Sequence, residues 1–349
     1  MTGPTPQPSA FVLQPKLFEK VWGGRRLATL GKDMPDAASI GESWELADLD
    51  GTSASGAGGG GVSSTIARGP LAGKTIREAI ELWGDDLLGN TPAPDGRFPL
   101  LVKYLDARED LSIQVHPSPE YAKAHPEAHV KTECWYVVQA EPGARIMKGM
   151  MPGVTAKDVR AAAEAGSDVP GLLHSAPAKV GDLHELPTGT IHALGAGTLV
   201  AEVQTPSDTT FRVYDWAQEL GRVGRELHLD QAVECILDGP PPATRRRGAH
   251  DEAGRLCSLD AFTIDEARPE GGDEIPLSFD GRCQVLMLVS GVGEVYMEGA
   301  EDDALAVHAG HTIVVPAACA DRAVFACDPG APVGGTVLLR VGVGAGVSP

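Results

Sequence analysis

Between Phe98 and Gln204 the chain returns again and again to short runs in which side chains alternate in character, and this period of two restricts its fold more than any other feature. The runs "FPLLVKYL", "LSIQVHP", "ECWYVVQA", "GARIMKGM", "GDLHELPTGTIHAL" and "GTLVAEVQ" read as strands, because successive side chains on a strand point to opposite faces. "LSIQVHP" poses the sharpest question. It turns Leu111, Ile113 and Val115 to one side and Ser112, Gln114 and His116 to the other. If that second face is buried, its polar groups need partners, or they serve a ligand.

Helices interrupt the strands at two places. "KTIREAIELWGDDLLG" spaces Ile76, Ile80, Trp83 and Leu87 helically, opens on a Thr75/Glu78 capping box and has Gly89 as its stop. "TAKDVRAAAEAG" opens on Thr155 and Asp158 and has Gly166 beyond its end. The Pro-rich residues 1–10 are expected to be disordered, and the Gly/Ser-rich stretch around 51–64 a flexible loop. "GPPPATRRRG" breaks the pattern after residue 238, and after it come short strands set apart by Gly and Pro, with barrel or sandwich texture. The expected architecture is therefore mainly β. A first unit over 1–238 carries the inserted helices, 239–248 is a linker, and a second β unit fills 249–349. The "RRR" run at 245–247 reads as solvated charge, and Trp22 and Trp44 as core supports.

The chain's net charge of −19 argues against nucleic acid as a partner, which calls for a basic footprint. No apolar run approaches the roughly 18 residues of a membrane span, and the N-terminus has no secretion-signal pattern. Six cysteines without CxxC pairing read as reduced, buried thiols, and the expected compartment is the cytoplasm. A monomer and a dimer are equally compatible with the sequence.

Gln114 and His116 share a face. "KTECWYVV" then sets Lys131, Glu133 and Trp135 on one face of the next strand, and "PTGTIHALG" places His192 just after a Pro-Gly turn. Gln, His, Glu and His together offer two nitrogens and two oxygens, a donor set that suits Zn²⁺ and also Mn²⁺, Co²⁺ or Ni²⁺. Either histidine taken singly reads more simply as a satisfied core group. His125, His129, His174 and His184 read as surface groups or as supports behind a site, and His308 and His311, in a turn of the second unit, as structural.

These segments resemble a known family. "WGGRRL", "IGESWELAD", "FPLLVKYLDAREDLSIQVHP", "KTECWYVV", "GDLHELPTGTIHALGAGTLVAEVQTPSDTTFRVYDW" and "RELHLDQA" are similar, in order, to the type I mannose-6-phosphate isomerases, metal-dependent members of the cupin superfamily. The likeness runs from about Phe11 to about Gln231, and its compact layout resembles the shorter bacterial form. It implies two cupin-like β-barrel (jelly-roll) domains, with one zinc ion in the first held by Gln114, His116, Glu133 and His192. It further implies an active site lined by Arg212, Lys131, Glu202 and Ser112, with Lys103 and Asp208 as further substrate contacts, and a sugar phosphate as the small-molecule substrate. Phe211 departs from the tyrosine common at its position, and "YDWAQ" lacks a basic residue that often follows the tryptophan.

Interconverting an aldose and a ketose moves a proton between neighbouring carbons through an enediolate, which calls for a Lewis acid and a positioned base. Glu202 is the expected base. In "LVAEVQ" it lies with Val200 and Gln204 opposite Leu199, Ala201 and Val203, and a carboxylate in so apolar a strand is either paired or functional. Arg212 stays protonated and is expected to stabilise the enediolate or the phosphate, Lys131 to stabilise charge or supply a proton, and Ser112 to donate a hydrogen bond. Three other readings remain open on sequence alone: a double-cupin oxygenase or decarboxylase, a sugar-phosphate-binding cupin without activity, and an isomerase of a different aldose.

Overall fold

The computed structural model describes residues 5–51, 60–217, 219–221, 223–248 and 254–344. The expected mainly β architecture is what the chain adopts, with all named strand pairs antiparallel. In the first unit a seven-stranded sheet runs in the order Thr244–Arg246, Asp182–Leu186, Glu133–Ala140, Thr198–Gln204, Leu101–Ala107, Lys16–Gly24, Ile40–Leu46. Opposite it lie five strands ordered Leu173–Pro177, Arg145–Met150, His192–Leu194, Ile113–Val115, Phe211–Tyr214. Leu105, Trp135, Val137 and Val200 from the first sheet meet Ile146 and Leu194 from the second inside this barrel. A further seven-stranded and a four-stranded sheet form the second unit around Leu286, Val295, Phe325 and Leu338.

The seven-stranded sheets of the two units pack face to face, and this explains why Leu101–Ala107 and Thr198–Gln204 are buried throughout. Val102, Tyr104, Leu199, Ala201 and Val203 point into the core shared with Phe262, Ile264, Val285 and Val341. The alternate residues face the interior of the first barrel. Because Phe262 is fully enclosed in this shared core, Phe262→Ala is expected to lower stability by about 3–5 kcal/mol, read as an earlier midpoint in urea unfolding.

Both capping boxes form. Thr75 and Glu78 open the helix Ile76–Trp83, and Thr155 and Asp158 open Ala156–Glu164. The first helix does not run unbroken to Gly89. Gly84, at φ 51°, ends it after Trp83, and a short helix over Asp85–Leu88 follows. The helices Ala156–Glu164 and Leu229–Cys235 cover the outer face of the five-stranded sheet.

Four expectations are corrected. The end of the Pro-rich stretch 1–10 is packed rather than disordered: Ala10 is buried and the Pro6 carbonyl accepts the Trp83 indole N–H at 2.9 Å, while residues 5–7 are exposed and 1–4 lie outside the described residues. The next strand, Phe11–Leu13, pairs with Thr312–Val315 and so joins the sheet of the second unit. Pro15, which lacks an N–H, stands between it and Lys16–Gly24 in the other sheet. In the stretch around 51–64, Gly60–Ser63 pairs with Asp48–Gly51, and Leu49 and Val62 bury against Trp44 and Leu101; residues 52–59 lie outside the described residues. Finally, the linker at 239–248 contains the edge strand Thr244–Arg246, paired with Asp182–His184. Its arginines are exposed yet ion-paired, Arg246 to Asp182 at 2.6 Å and Arg245 to Glu185 at 3.4 Å, because the facing strand is acidic.

All six cysteines are free and buried. Among the described residues no helix is long and apolar enough to cross a membrane.

Candidate active site and metal centre

The two sheets of the first barrel bring two rows of side chains face to face. On the five-stranded sheet, Gln114 pairs laterally with His192 on one side and Arg212 on the other. On the seven-stranded sheet, Trp135, Glu202, Lys103 and Trp44 form one lateral row, with Glu133 beside Gln204 in the next. Ile113 and Val115 pack outward beneath the helices, which leaves Gln114 pointing inward as the alternation requires.

His116, Glu133 and His192 converge, with one ligand atom of each within 4.8 Å of the others. Glu133 Oε1 lies 3.1 Å from His192 Nε2 and 3.5 Å from His116 Nε2, and Gln114 Nε2 stands 3.3 Å from His192 Nε2. His116 Nδ1 is 2.9 Å from the Thr209 carbonyl, and His192 Nδ1 is 2.8 Å from the Thr190 carbonyl. A carbonyl only accepts, so each Nδ1 carries the proton and each Nε2 turns a lone pair inward.

Those lone pairs face a carboxylate oxygen, and His116 Nε2 and Glu133 Oε1 are buried without a hydrogen-bond partner. An orphaned buried polar atom costs about 1–3 kcal/mol, and several converging acceptors are repulsive unless a cation sits among them. The donor set therefore fits a metal ion. The protonation states agree. Burial and the nearby Lys131 cation push the His116 imidazole down to about 3, so it is neutral and free to ligate. Burial would raise the Glu133 carboxyl, but the Lys131 ammonium outweighs it and holds the group well below the usual carboxylate range. Lys131 Nζ sits 2.8 Å from Glu133 Oε2.

A cleft of about 320 Å³ opens above this floor, and Ser112, Gln114, Lys131, Glu202, Lys103, Asp208 and Arg212 all line it. Glu202 is held at both oxygens: Trp135 Nε1 donates to Oε2 at 2.8 Å, and Lys103 Nζ lies 3.2 Å from Oε1. Arg212 donates from Nε to Ser112 Oγ at 3.3 Å and from Nη1 to the Glu226 carbonyl at 2.8 Å, and burial and the Arg225 charge push its guanidinium down to about 10. Every site residue named from the sequence thus lies in this cleft or in its floor.

Lys20, Glu42 and Arg225 also line the cleft, and the sequence reading did not single them out. For Glu42 the signal was present in "IGESWEL", a strand buried throughout that carries carboxylates; Lys20 lies in the partly exposed "KLFEKVWGG" and Arg225 outside the strands, where no comparable signal exists. Trp44, expected only as a core support, donates its indole N–H to Glu42 at 2.6 Å beneath the Lys103 ammonium. His184 is not a surface group. It is buried in the barrel, and burial and the Lys148 charge push it down to about 3. The His308 and His311 rings lie 3.7 Å apart, tilted by 38°, and His311 Nδ1 accepts the His308 amide. Phe211 faces Tyr121 and packs outward, so the hydroxyl it lacks would point away from the His116–Glu133–His192 cluster.

The profile of the phosphomannose isomerase type I catalytic domain matches residues 10–147. The mannose-6-phosphate isomerase ManA of Bacillus subtilis is 37% identical over 244 residues, which cover 68% of this chain and 71% of that protein. The chain belongs to the type I phosphomannose isomerase family. The mannose-6-phosphate isomerase of Streptococcus mutans is 38% identical over 233 residues, covering 66% of this chain and 68% of its own. The crystal structure of the Bacillus subtilis mannose 6-phosphate isomerase superposes with a TM-score of 0.78 at 29% identity, across 95% of this chain and 99% of that one. A Salmonella typhimurium phosphomannose isomerase variant superposes at 0.71 and 18% identity, a likeness of fold. The family likeness in sequence thus stops well short of the likeness in fold, which extends over both barrels.

Proposed function

We propose that this family member interconverts mannose 6-phosphate and fructose 6-phosphate as a zinc-dependent enzyme. The observation that carries the reading is the set of inward-turned, unpartnered His116 Nε2 and Glu133 Oε1 atoms below a cleft lined by Glu202, Lys103 and Arg212. Gln114, with its amide turned so that the oxygen replaces the nitrogen now 3.3 Å from His192 Nε2, would join His116, Glu133 and His192 in holding one ion. Two nitrogen and two oxygen donors suit zinc, which when bound supplies a Lewis acid to the substrate's oxygens.

Glu202 takes the proton from the carbon beside the carbonyl and returns it one carbon away, its carboxylate oriented by Trp135. A cis-enediolate forms between the two transfers. Lys131 and Arg212 place positive charge near its oxygens, and Ser112, already bound to Arg212, has its hydroxyl in the cleft. Lys103 and Asp208 contribute further contacts to the sugar phosphate. Arg212, Lys131 and Lys103 concentrate positive charge where an anionic substrate must approach a chain of net charge −19. Six free, buried thiols suit a reducing compartment, and the cytoplasm is the proposed setting.

The test is formation of fructose 6-phosphate from mannose 6-phosphate by the protein as purified, after chelation, and after chelation followed by added Zn²⁺. Loss on chelation and recovery with zinc is the expected result. Binding of the sugar phosphate without turnover by metal-replete protein would replace this reading with that of a binding protein. Faster turnover of a different aldose would move the substrate and keep the site.

A further inference from the structure

Lys103 lines the cleft and lies between two carboxylates: Nζ is 3.2 Å from Glu202 Oε1 and 3.9 Å from Glu42 Oε2. Each carboxylate is tied by an indole. Trp135 Nε1 donates to Glu202 at 2.8 Å and Trp44 Nε1 to Glu42 at 2.6 Å, with the ammonium 5.0 Å from the Trp44 ring centroid. On its far side Glu42 Oε1 meets Lys20 Nζ at 3.2 Å, so Lys20, Glu42, Lys103 and Glu202 alternate in sign in a row from the barrel's edge strands inward. Lys103, Glu42 and Glu202 are all buried.

We propose that Glu42 is a positioning residue that keeps the Lys103 ammonium paired while Glu202 changes charge during turnover. The inference rests on Glu202 acting as the base, as proposed above. When Glu202 accepts the substrate's carbon-bound proton it becomes neutral, and a buried ammonium whose sole partner was Glu202 would be left uncompensated, which is strongly unfavourable. Glu42 removes that obstacle because it stays ionised throughout. Burial would raise its carboxyl, but Lys103 and Lys20 outweigh this and hold it down at about 2. The same carboxylate draws the ammonium partly away from Glu202, so the base is not locked into a one-to-one pair.

Glu42→Gln keeps the shape and an acceptor for the Trp44 indole while removing the charge. The expected result is a fall in kcat of about 10–10² fold, a part of what a positioned base supplies, with KM changed by less than about threefold and bound metal retained. Glu42→Asp is expected to recover a measurable share of the lost kcat. In a Lys103→Met background Glu42→Gln should add nothing further, since it acts through Lys103. Independent multiplication of the two effects, or a change confined to KM, would overturn the proposal. A crystal structure of Glu42→Gln decides the positioning without reference to turnover. The Lys103 ammonium, 3.2 Å from Glu202 Oε1 in the parent, should close to the roughly 2.7–2.8 Å of a one-to-one ion pair as it leaves residue 42, and an ammonium left in place would refute the role. If the parent protein failed to isomerise mannose 6-phosphate, the proposed function would fall while this structural comparison still decided the role of Glu42.

Discussion

Replacing Glu133 with Gln is expected to strip the protein of metal and to lower kcat/KM by about 10³-fold or more, equivalent to about 4 kcal/mol of lost transition-state stabilisation. The substitution is nearly isosteric, so the strand Glu133–Ala140 and its pairing with Thr198–Gln204 should persist. What changes is charge. Glu133 is the one anion in the His116–Glu133–His192 cluster, and its other oxygen pairs with Lys131 Nζ at 2.8 Å. Without it a divalent ion would meet only neutral donors beside an uncompensated lysine, an arrangement that repels a cation. Metal analysis of the purified variant, together with the coupled assay, checks the prediction. A full equivalent of bound metal with activity within tenfold of the parent would show that Glu133 does not ligate.

The second large effect is expected at Glu202. Glu202→Gln should lower kcat by about 10²–10⁴ fold while leaving metal content unchanged, which separates the loss of a base from the loss of the ion. Gln keeps an acceptor for the Trp135 indole and fills the same volume, so its folded state should be close to the parent's. The diagnostic measurement is exchange of the substrate's carbon-bound hydrogen with deuterium oxide. If Glu202 moves that proton, exchange should fall in step with isomerisation. If exchange continued at the parent's rate, the proton would be moved by another group, and Lys131, also in the cleft, would be next to test.

Much of this site was legible because it depends on local periodicity. "LSIQVHP" and "LVAEVQ" declare by alternation which side chains share a face, and the structure turns Gln114 and Glu202 inward, opposite Ile113 and Val115 in one strand and Ala201 and Val203 in the other. The capping boxes at Thr75 and Thr155 are contacts across three residues, and both form. Gly84 went unread as a stop because the apolar spacing continues past it to Leu87; its left-handed φ shows only in the folded backbone.

"IGESWEL" marks where such reading ends. It carries two carboxylates, Glu42 and Glu45, and alternation says only that they point to opposite faces. Nothing local distinguishes the face that sees the cleft from the face that meets the second barrel. In the folded chain Glu42 joins Lys103 beside the site, whereas Glu45 pairs with Lys32 at 2.7 Å, a lysine that also donates to the Gly310 carbonyl across the junction of the two units. The strands Phe11–Leu13 and Thr244–Arg246 were misplaced for the same reason, since their partners lie far away in sequence or in a strand of opposite charge. By itself, then, the sequence determined the β period, the helix starts and the chemical identity of the inward-facing donors, all of which follow from side chains within one element. Which sheets meet, which carboxylate reaches Lys103 and Glu202, and how Gln114, His116, Glu133 and His192 from three separate segments come together were decided only by the tertiary structure, because packing between distant strands is what selects one face as core and the other as site.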